Sequence, residues 1–490
     1  MGNFTDMAKT LSNTKYTENG AIAYQSTNGG TLLDLFGTIG GMRGRIDDVI
    51  IKWHAARKED KELADNLVLY ARNIRGGGLG ERSIGRALLR ELAMTDPRKV
   101  ERNFQTVVDC GRWDDLFIFI DTPVEDAMWD FILAQLGKDT QDMMMGKPIS
   151  LLAKWMKSIN TSSTESRRIA RLTAKHLGLN EKEYRKVLAK LRAHIKVLET
   201  QMSADRWEDI NFSAVPSKAM VNYAHAFNRH VGEKFAQYKE DVANGKEKVN
   251  AATLYPYDII QPYLANHRSY YNTWDSIYDE QWKALPNYLD GEKSVVFVVD
   301  TSGSMCCNNY LPISTAIGLG IYFAQRNKGA YHNLFMTFST NPAICYLNDE
   351  WSLKESVDYV LKRDWGGSTD LDKTYSMIFD IAMRTQDAPA AICVVSDMEV
   401  NSWNYNGNDY MYSITDKWKA KFEDAGLVMP KLIYWNVNAR QDTFLANAND
   451  NVSFVSGSGI GPFKNFTTLI DKSAYQAMVD ILTQKEFSWR

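Results

Sequence analysis

The chain has 490 residues, with 57 Lys and Arg against 60 Asp and Glu, and 44% of it is apolar. That length allows two or more domains with full cores, and no run of about eighteen consecutive apolar residues is present to span a membrane. Five scattered cysteines, Cys110, Cys306, Cys307, Cys345 and Cys393, argue against a disulfide framework and for a reducing compartment. Since the opening residues Met1 to Asp6 form neither an apolar leader nor a myristoylation signal, a soluble cytoplasmic protein is expected.

From about Leu32 to Arg229 apolar residues recur at three- and four-residue spacings: Val49, Trp53, Leu63, Leu67, Tyr70, then Leu88, Leu89, Leu92, then Phe104, Val107, Val108 and Leu116. Breakers at 75–80, Thr95-Asp96-Pro97, Thr122-Pro123 and Gly146-Lys147-Pro148 cut the run into helices, with Pro97 and Pro123 expected at first helical positions. Helices of this kind predict an α-helical repeat domain, HEAT-like in organisation, over 1–290, with 240–290 as a packed connector. Charge within it is polarised. Residues 151–200 hold 12 Lys and Arg against 4 Asp and Glu, whereas 101–150 hold 4 against 10. One electropositive face follows, and Arg167, Arg168, Arg171, Lys175, Arg185 and Lys186 are its candidate phosphate contacts. The same residues would also make an ordinary solvated helical face.

Arg72 and Arg75 stand before the glycine-rich stretch Gly76 to Gly80, and Arg82, Arg86 and Arg90 after it. This is not a nucleotide cradle, because Ser83 replaces the last glycine of a GxGxxG frame and no Gly-Lys-Ser/Thr occurs. A helix-turn-helix with exposed arginines fits better, its arginines facing RNA or pairing with Glu81 and Glu91. Trp53, Trp113, Trp155 and Trp207 read as core at helical spacings before they read as base-stacking platforms.

From residue 291 the pattern becomes strand, helix, strand, helix, and a doubly wound α/β domain over 291–490 is expected. Strands are placed at 294–300, 331–338, 343–347, 390–397, 431–437 and 452–456, and helices at 312–327, 352–363, 371–385, 413–425 and 465–484. The run Val295 to Val299 reads as a parallel strand buried on both faces, delivering Asp300-Thr301-Ser302-Gly303-Ser304 to the sheet's ligand edge. Gly366 to Asp370 and the strand ending at Ser396-Asp397 bring two further loops to that edge. Carboxylate and hydroxyl oxygens without nitrogen or sulfur are the ligand set of a hard cation, so Mg²⁺ is expected, with Mn²⁺ or Ca²⁺ as alternatives and zinc disfavoured.

This DxSxS, Thr, Asp series resembles the metal-ion-dependent adhesion site of von Willebrand factor A domains. The resemblance implies Asp300, Ser302, Ser304, Thr369 and Asp397 as the metal site. It also implies an open coordination position for an acidic residue of a protein partner. Gln325 to Gly329, Asp364 to Thr369 and Tyr434 to Asn438, together with Thr17 to Ala21 and Arg72 to Gly77, resemble a phage and bacterial branch of Ro-like (TROVE) proteins. That likeness implies a ring or solenoid of helical repeats closed by the von Willebrand domain, binding noncoding RNA outside and single-stranded RNA ends in its hole. Another reading is a metal-dependent protein-interaction or assembly module, possible within a phage, without specific RNA binding. An enzyme is not expected: Asp364, Asp370, Asp372 and Glu399 lie near the metal loops, but mainly neutral hydroxyl ligands suit two-metal hydrolysis poorly, and the seven histidines form no motif.

Overall fold

A computed structural model describes residues 13–75, 77–266, 274–289, 294–363, 365–402, 413–459 and 461–490. Two short strands, β1 (Thr14–Tyr16) and β2 (Ile22–Tyr24), form an antiparallel hairpin. Helices follow as α1 (Thr31–Thr38), α2 (Ile46–Glu59), α3 (Lys61–Arg72), α4 (Arg82–Thr95), α5 (Glu125–Met144), α6 (Thr164–His176), α7 (Glu181–Ile195), α8 (Ser217–Ala243) and α9 (Pro256–Asn266), with shorter turns between them. Their lengths are uneven. Capping explains several starts: Asp60 accepts from Leu63 N at 2.9 Å, and Asn180 and Glu183 form a reciprocal capping box at α7.

A local expectation is corrected. Pro97 does open a helical turn, but Pro123 lies before α5, which starts at Glu125; Thr122 Oγ1 donates to Phe119 O at 2.6 Å instead of capping a helix. The segment expected as a packed connector carries helices at Pro256–Asn266 and Ile277–Lys283. Its α9 packs along the helix after the first sheet strand, where Gly318 would place a Cβ only 3.1 Å from Pro256 Cβ.

The second part is built on β3 (Val295–Asp300), α10 (Cys307–Arg326), β4 (Leu334–Phe338), β5 (Ala343–Tyr346), α11 (Leu353–Leu361), α12 (Leu371–Thr385), β6 (Ala391–Ser396), α13 (Ile414–Asp424), β7 (Lys431–Asn436), β8 (Val452–Ser456) and α14 (Ala474–Leu482). One six-stranded sheet runs β5-β4-β3-β6-β7-β8, parallel except for the edge strand β5. Every residue of β3 and β6 is buried, as continuous apolar runs require when helices cover both faces. Chain crossings reverse between β3 and β6, so their C-terminal ends form the crevice where such sheets take ligands. The helix expected over 465–484 is two, broken where Ser473 accepts from Gln476 N at 3.3 Å and starts α14.

The two parts interleave. Tyr24 and Phe444 exchange backbone hydrogen bonds of 2.8 and 2.9 Å, and α1 lies against β8, so residues from the chain's start cover that edge of the C-terminal sheet. Gly40 makes this contact close: a Cβ there would stand 2.6 Å from Ser456 O and 2.7 Å from Gly457 Cα. Reciprocally, Trp489 Nε1 donates to Asp65 O at 2.8 Å and Asn66 Nδ2 to Leu482 O at 3.1 Å, fastening the C-terminal tail to α3. The expected division at 290/291 is therefore crossed in space by both chain ends.

Candidate metal centre

Register places the site. β3 pairs with β6 from Val295↔Ala391 to Val299↔Val395, which sets Asp300 beside the turn that carries Asp397. Both carboxylates are buried, at 0% and 1% exposure. Asp300 Oδ1 accepts from Ser302 N at 2.9 Å and Oδ2 from Ser396 Oγ at 2.5 Å. Asp397 Oδ1 accepts from Glu399 N at 3.2 Å, and its Oδ2 meets Arg440 Nη2 at 2.9 Å. The hydroxyls of Ser302 and Ser304 are 3.1 Å apart. Thr369 is buried and tied to the segment after Asp397: its N–H donates to Asn401 Oδ1 at 3.2 Å, and Asn401 N donates to Thr369 O at 2.9 Å. The next residue, Asp370, donates its N–H to Ser339 O beyond β4 at 3.0 Å, which fixes the loop on the neighbouring strand end.

Electrostatics follow from this burial. Desolvation first, and then the negative charge of Asp397, push the Asp300 carboxyl up to about 7 against the opposing hydrogen bonds from Ser396 and Ser302. A divalent cation would relieve both causes, since it neutralises the pair and replaces lost hydration. The donor set fits a hard cation: Ser302, Ser304 and Thr369 would hold it, with Asp300 and Asp397 adjacent. Among the described residues no group of three or more His, Cys, Asp or Glu side chains stands in metal-binding geometry. Cys307 is a partly buried thiol that accepts from Asn438 Nδ2 at 3.3 Å, and burial pushes its pKa up, which disfavours the thiolate.

Other acids near this edge have structural partners. Asp370 caps α12 through Lys373 N at 3.1 Å, and Asp372 accepts from Lys417 Nζ at 2.6 Å and Trp418 Nε1 at 2.8 Å. Asp364 lies outside the described residues. Sequence reasoning named Ser396 only as the end of its strand and missed Asn401 and Arg440. Of these, Arg440 had a signal, because it follows the end of β7 and every parallel strand delivers its next residues to this edge.

The candidate RNA contacts divide. Arg72 is corrected: it is 1% exposed, with Nε and Nη2 on Asp115 Oδ2 at 2.9 and 2.7 Å, so it holds the helical core and does not face RNA. Arg82 and Arg86 pair with Asp114, Arg86 also with Asp115, and Arg90 donates to Ile118 O and Ile120 O, in place of the pairing expected with Glu81 and Glu91. Glu81 takes Arg43 and Glu91 takes His54. Arg75 is exposed. On the α6–α7 hairpin Arg168, Arg171, Lys175, Arg185 and Lys186 are exposed and Arg167 is half-buried. Trp53 and Trp113 are buried, while half-buried Trp155 lies under the Arg112 guanidinium at 4.7 Å and Trp207 stacks on His230 at 4.0 Å.

Comparison with known proteins gives two adjoining domain matches, both described as domains of unknown function: DUF2828 over residues 130–292 and DUF7788 over 294–486. The chain is 28% identical over 492 residues to "Uncharacterized protein L728" of Acanthamoeba polyphaga mimivirus, covering 92% of this chain and 83% of that one. A crystal structure of the Deinococcus radiodurans Ro (RSR) protein aligns over 95% of both chains at 14% identity, with a TM-score of 0.36, a superposition too loose to bear weight.

Proposed function

We propose that the chain is a Ro-like RNA-binding protein whose α/β part holds one divalent cation, Mg²⁺ first among candidates. The observation that carries this reading is the buried Asp300 and Asp397 pair with the Ser302 and Ser304 hydroxyls at the crevice of the sheet. A cation there supplies a Lewis-acidic point with room for an oxygen of a partner's carboxylate. The chain's own residues orient it: Ser396 and the Ser302 N–H hold Asp300, while Asn401 holds Thr369. No reaction is assigned to the site. RNA binding rests on the motif resemblance and on the exposed cations of α6 and α7, which suit phosphate contacts without sequence choice.

A second reading, a cation-dependent protein-assembly module without specific RNA binding, is favoured by the way that face neutralises itself. Arg168 pairs with Glu165 and Arg171 with Glu181, both at 2.9 Å. Titration of the protein with a stem-loop RNA bearing a single-stranded 3′ tail, beside a blunt duplex and at several salt concentrations, separates the two. Tight, tail-dependent binding is expected; binding no better than a generic polyanion, lost at moderate salt, would leave the assembly module.

A further inference from the structure

The edge that carries the metal site is already lined by a piece of the same chain. Thr17 Oγ1 donates to Val400 O at 2.6 Å, Glu18 N to Glu399 Oε2 at 2.6 Å, and Asn19 Nδ2 to Glu399 O at 2.5 Å. Ser402 N returns a bond to Asn19 O at 3.2 Å, and Gly20 bridges to Asn401 in antiparallel fashion. Four consecutive residues thus lie along the segment that follows Asp397. Within this strap the Glu18 carboxylate meets Arg440 Nη1 at 2.7 Å and accepts from Gln441 Nε2 at 3.3 Å. The other arm of Arg440 is on Asp397, so one guanidinium joins the strap's acid to the metal site's carboxylate.

We propose that this edge is a docking groove for an extended segment carrying an acidic side chain, with Arg440 as its anion anchor beside the cation and Glu18 its occupant in cis. This rests on the cation site proposed above. The pairing of Glu18 with Arg440 is built to exchange: the two side chains are 35% and 37% exposed, and ion pairs this wet are individually weak. Backbone and side-chain bonds to Glu399, Val400 and Ser402 supply the register, as in strand addition, and the acid supplies the choice. A partner's Asp or Glu that takes the place of Glu18 would meet a guanidinium on one side and a divalent ion on the other. Charge also makes the strap and the cation mutually dependent. Arg440 opposes a second cation nearby and Glu18 favours it.

The test uses the full chain, Mg²⁺ alone, and a labelled peptide of residues 13–24. In calorimetry, Glu18→Gln should weaken Mg²⁺ binding and Arg440→Gln tighten it, each by about five- to tenfold once screening is allowed for. Glu18→Arg sets like charge against Arg440 and vacates that anion seat, while Thr17 and Ile22 to Tyr24 stay buried. That variant should bind the peptide in Mg²⁺, lose it in chelator, and bind the E18Q peptide at least about tenfold more weakly, one ion pair's worth beside a cation. Wild-type protein that binds no Mg²⁺ would remove the cation site itself. Mg²⁺ binding that is unchanged in Glu18→Gln and Arg440→Gln would overturn the docking groove and leave the cation site standing, as would equal binding of the two peptides. Faster amide exchange at Glu18 and Ser402 in Glu18→Gln, in protein of unaltered melting temperature, checks that the strap has loosened in a chain that stays folded.

Discussion

Asp300 is held in conflict with its own charge when no cation is bound, and this gives a pH signature. Its folded carboxyl titrates at about 7 against an ordinary 3.8, so the folded chain retains a proton that the unfolded chain has lost, and stability falls as pH rises between those values. In chelator, Asp300→Asn should therefore melt several degrees above wild type at pH 8 and level with it near pH 4. The same variant should lose all stabilisation by Mg²⁺ while RNA affinity stays nearly unchanged; equal loss of both would end the separation of roles. Arg72 makes the opposite case. Truncation to Ala leaves Asp115 buried with one arginine fewer, and removal of one partner from a buried pair costs about 3–5 kcal/mol. A large drop in urea midpoint is expected, with RNA affinity per folded molecule unaltered. The DxSxS loop was legible as a sheet-edge loop because Asp300, Ser302 and Ser304 are neighbours in sequence directly after a continuous apolar strand. The burial of Arg72 was not, since its partner Asp115 reaches it from 43 residues away.

At the scale of elements, some runs were readable to the residue: β8 and α12 fall at the expected 452–456 and 371–385, whereas β4 starts at Leu334 against an expected 331. A further error came where a cap competed with a periodic run. Ser473 and Gln476 split the last helix, although the apolar spacing runs through them. What no periodicity announces is how α1 seats on β8, because that depends on two glycine backbones in contact. Gly40→Ala would drive a Cβ into Ser456 O and Gly457, and overpacking of this kind costs about 1–3 kcal/mol. Thermal melts should show that loss, with circular dichroism of the folded form unchanged. On the α6–α7 hairpin, Arg167, Arg168 and Arg171 all changed to Glu should abolish RNA binding in a filter assay, read per folded molecule because the reversal also sets like charge at positions 168 and 171 against Glu165 and Glu181. Undiminished binding would move any RNA contact off this face.

The whole molecule departs from a two-domain chain read left to right. The N-terminal hairpin and α1 lie on the C-terminal sheet, and the C-terminal tail lies on α3, so the parts share one continuous apolar core. Calorimetry should show one cooperative transition in place of two. A fragment of residues 294–490 alone would expose the β8 edge and the surface under α1, and light scattering is expected to show it aggregating more than the full chain.

Gly40 and Ser456, which meet through a 2.9 Å hydrogen bond, are separated by 416 positions. At roughly 5–20 residues per second of synthesis, the N-terminal hairpin leaves the ribosome roughly 20 to 80 seconds before Phe444, with which Tyr24 exchanges backbone bonds, exists. Its apolar residues Ile22, Ala23 and Tyr24, all buried at the end, wait in the open for that interval. Only a chain translated past Phe444 can bury them, so an interrupted product carries a visible mark of its incompleteness to chaperones and proteases.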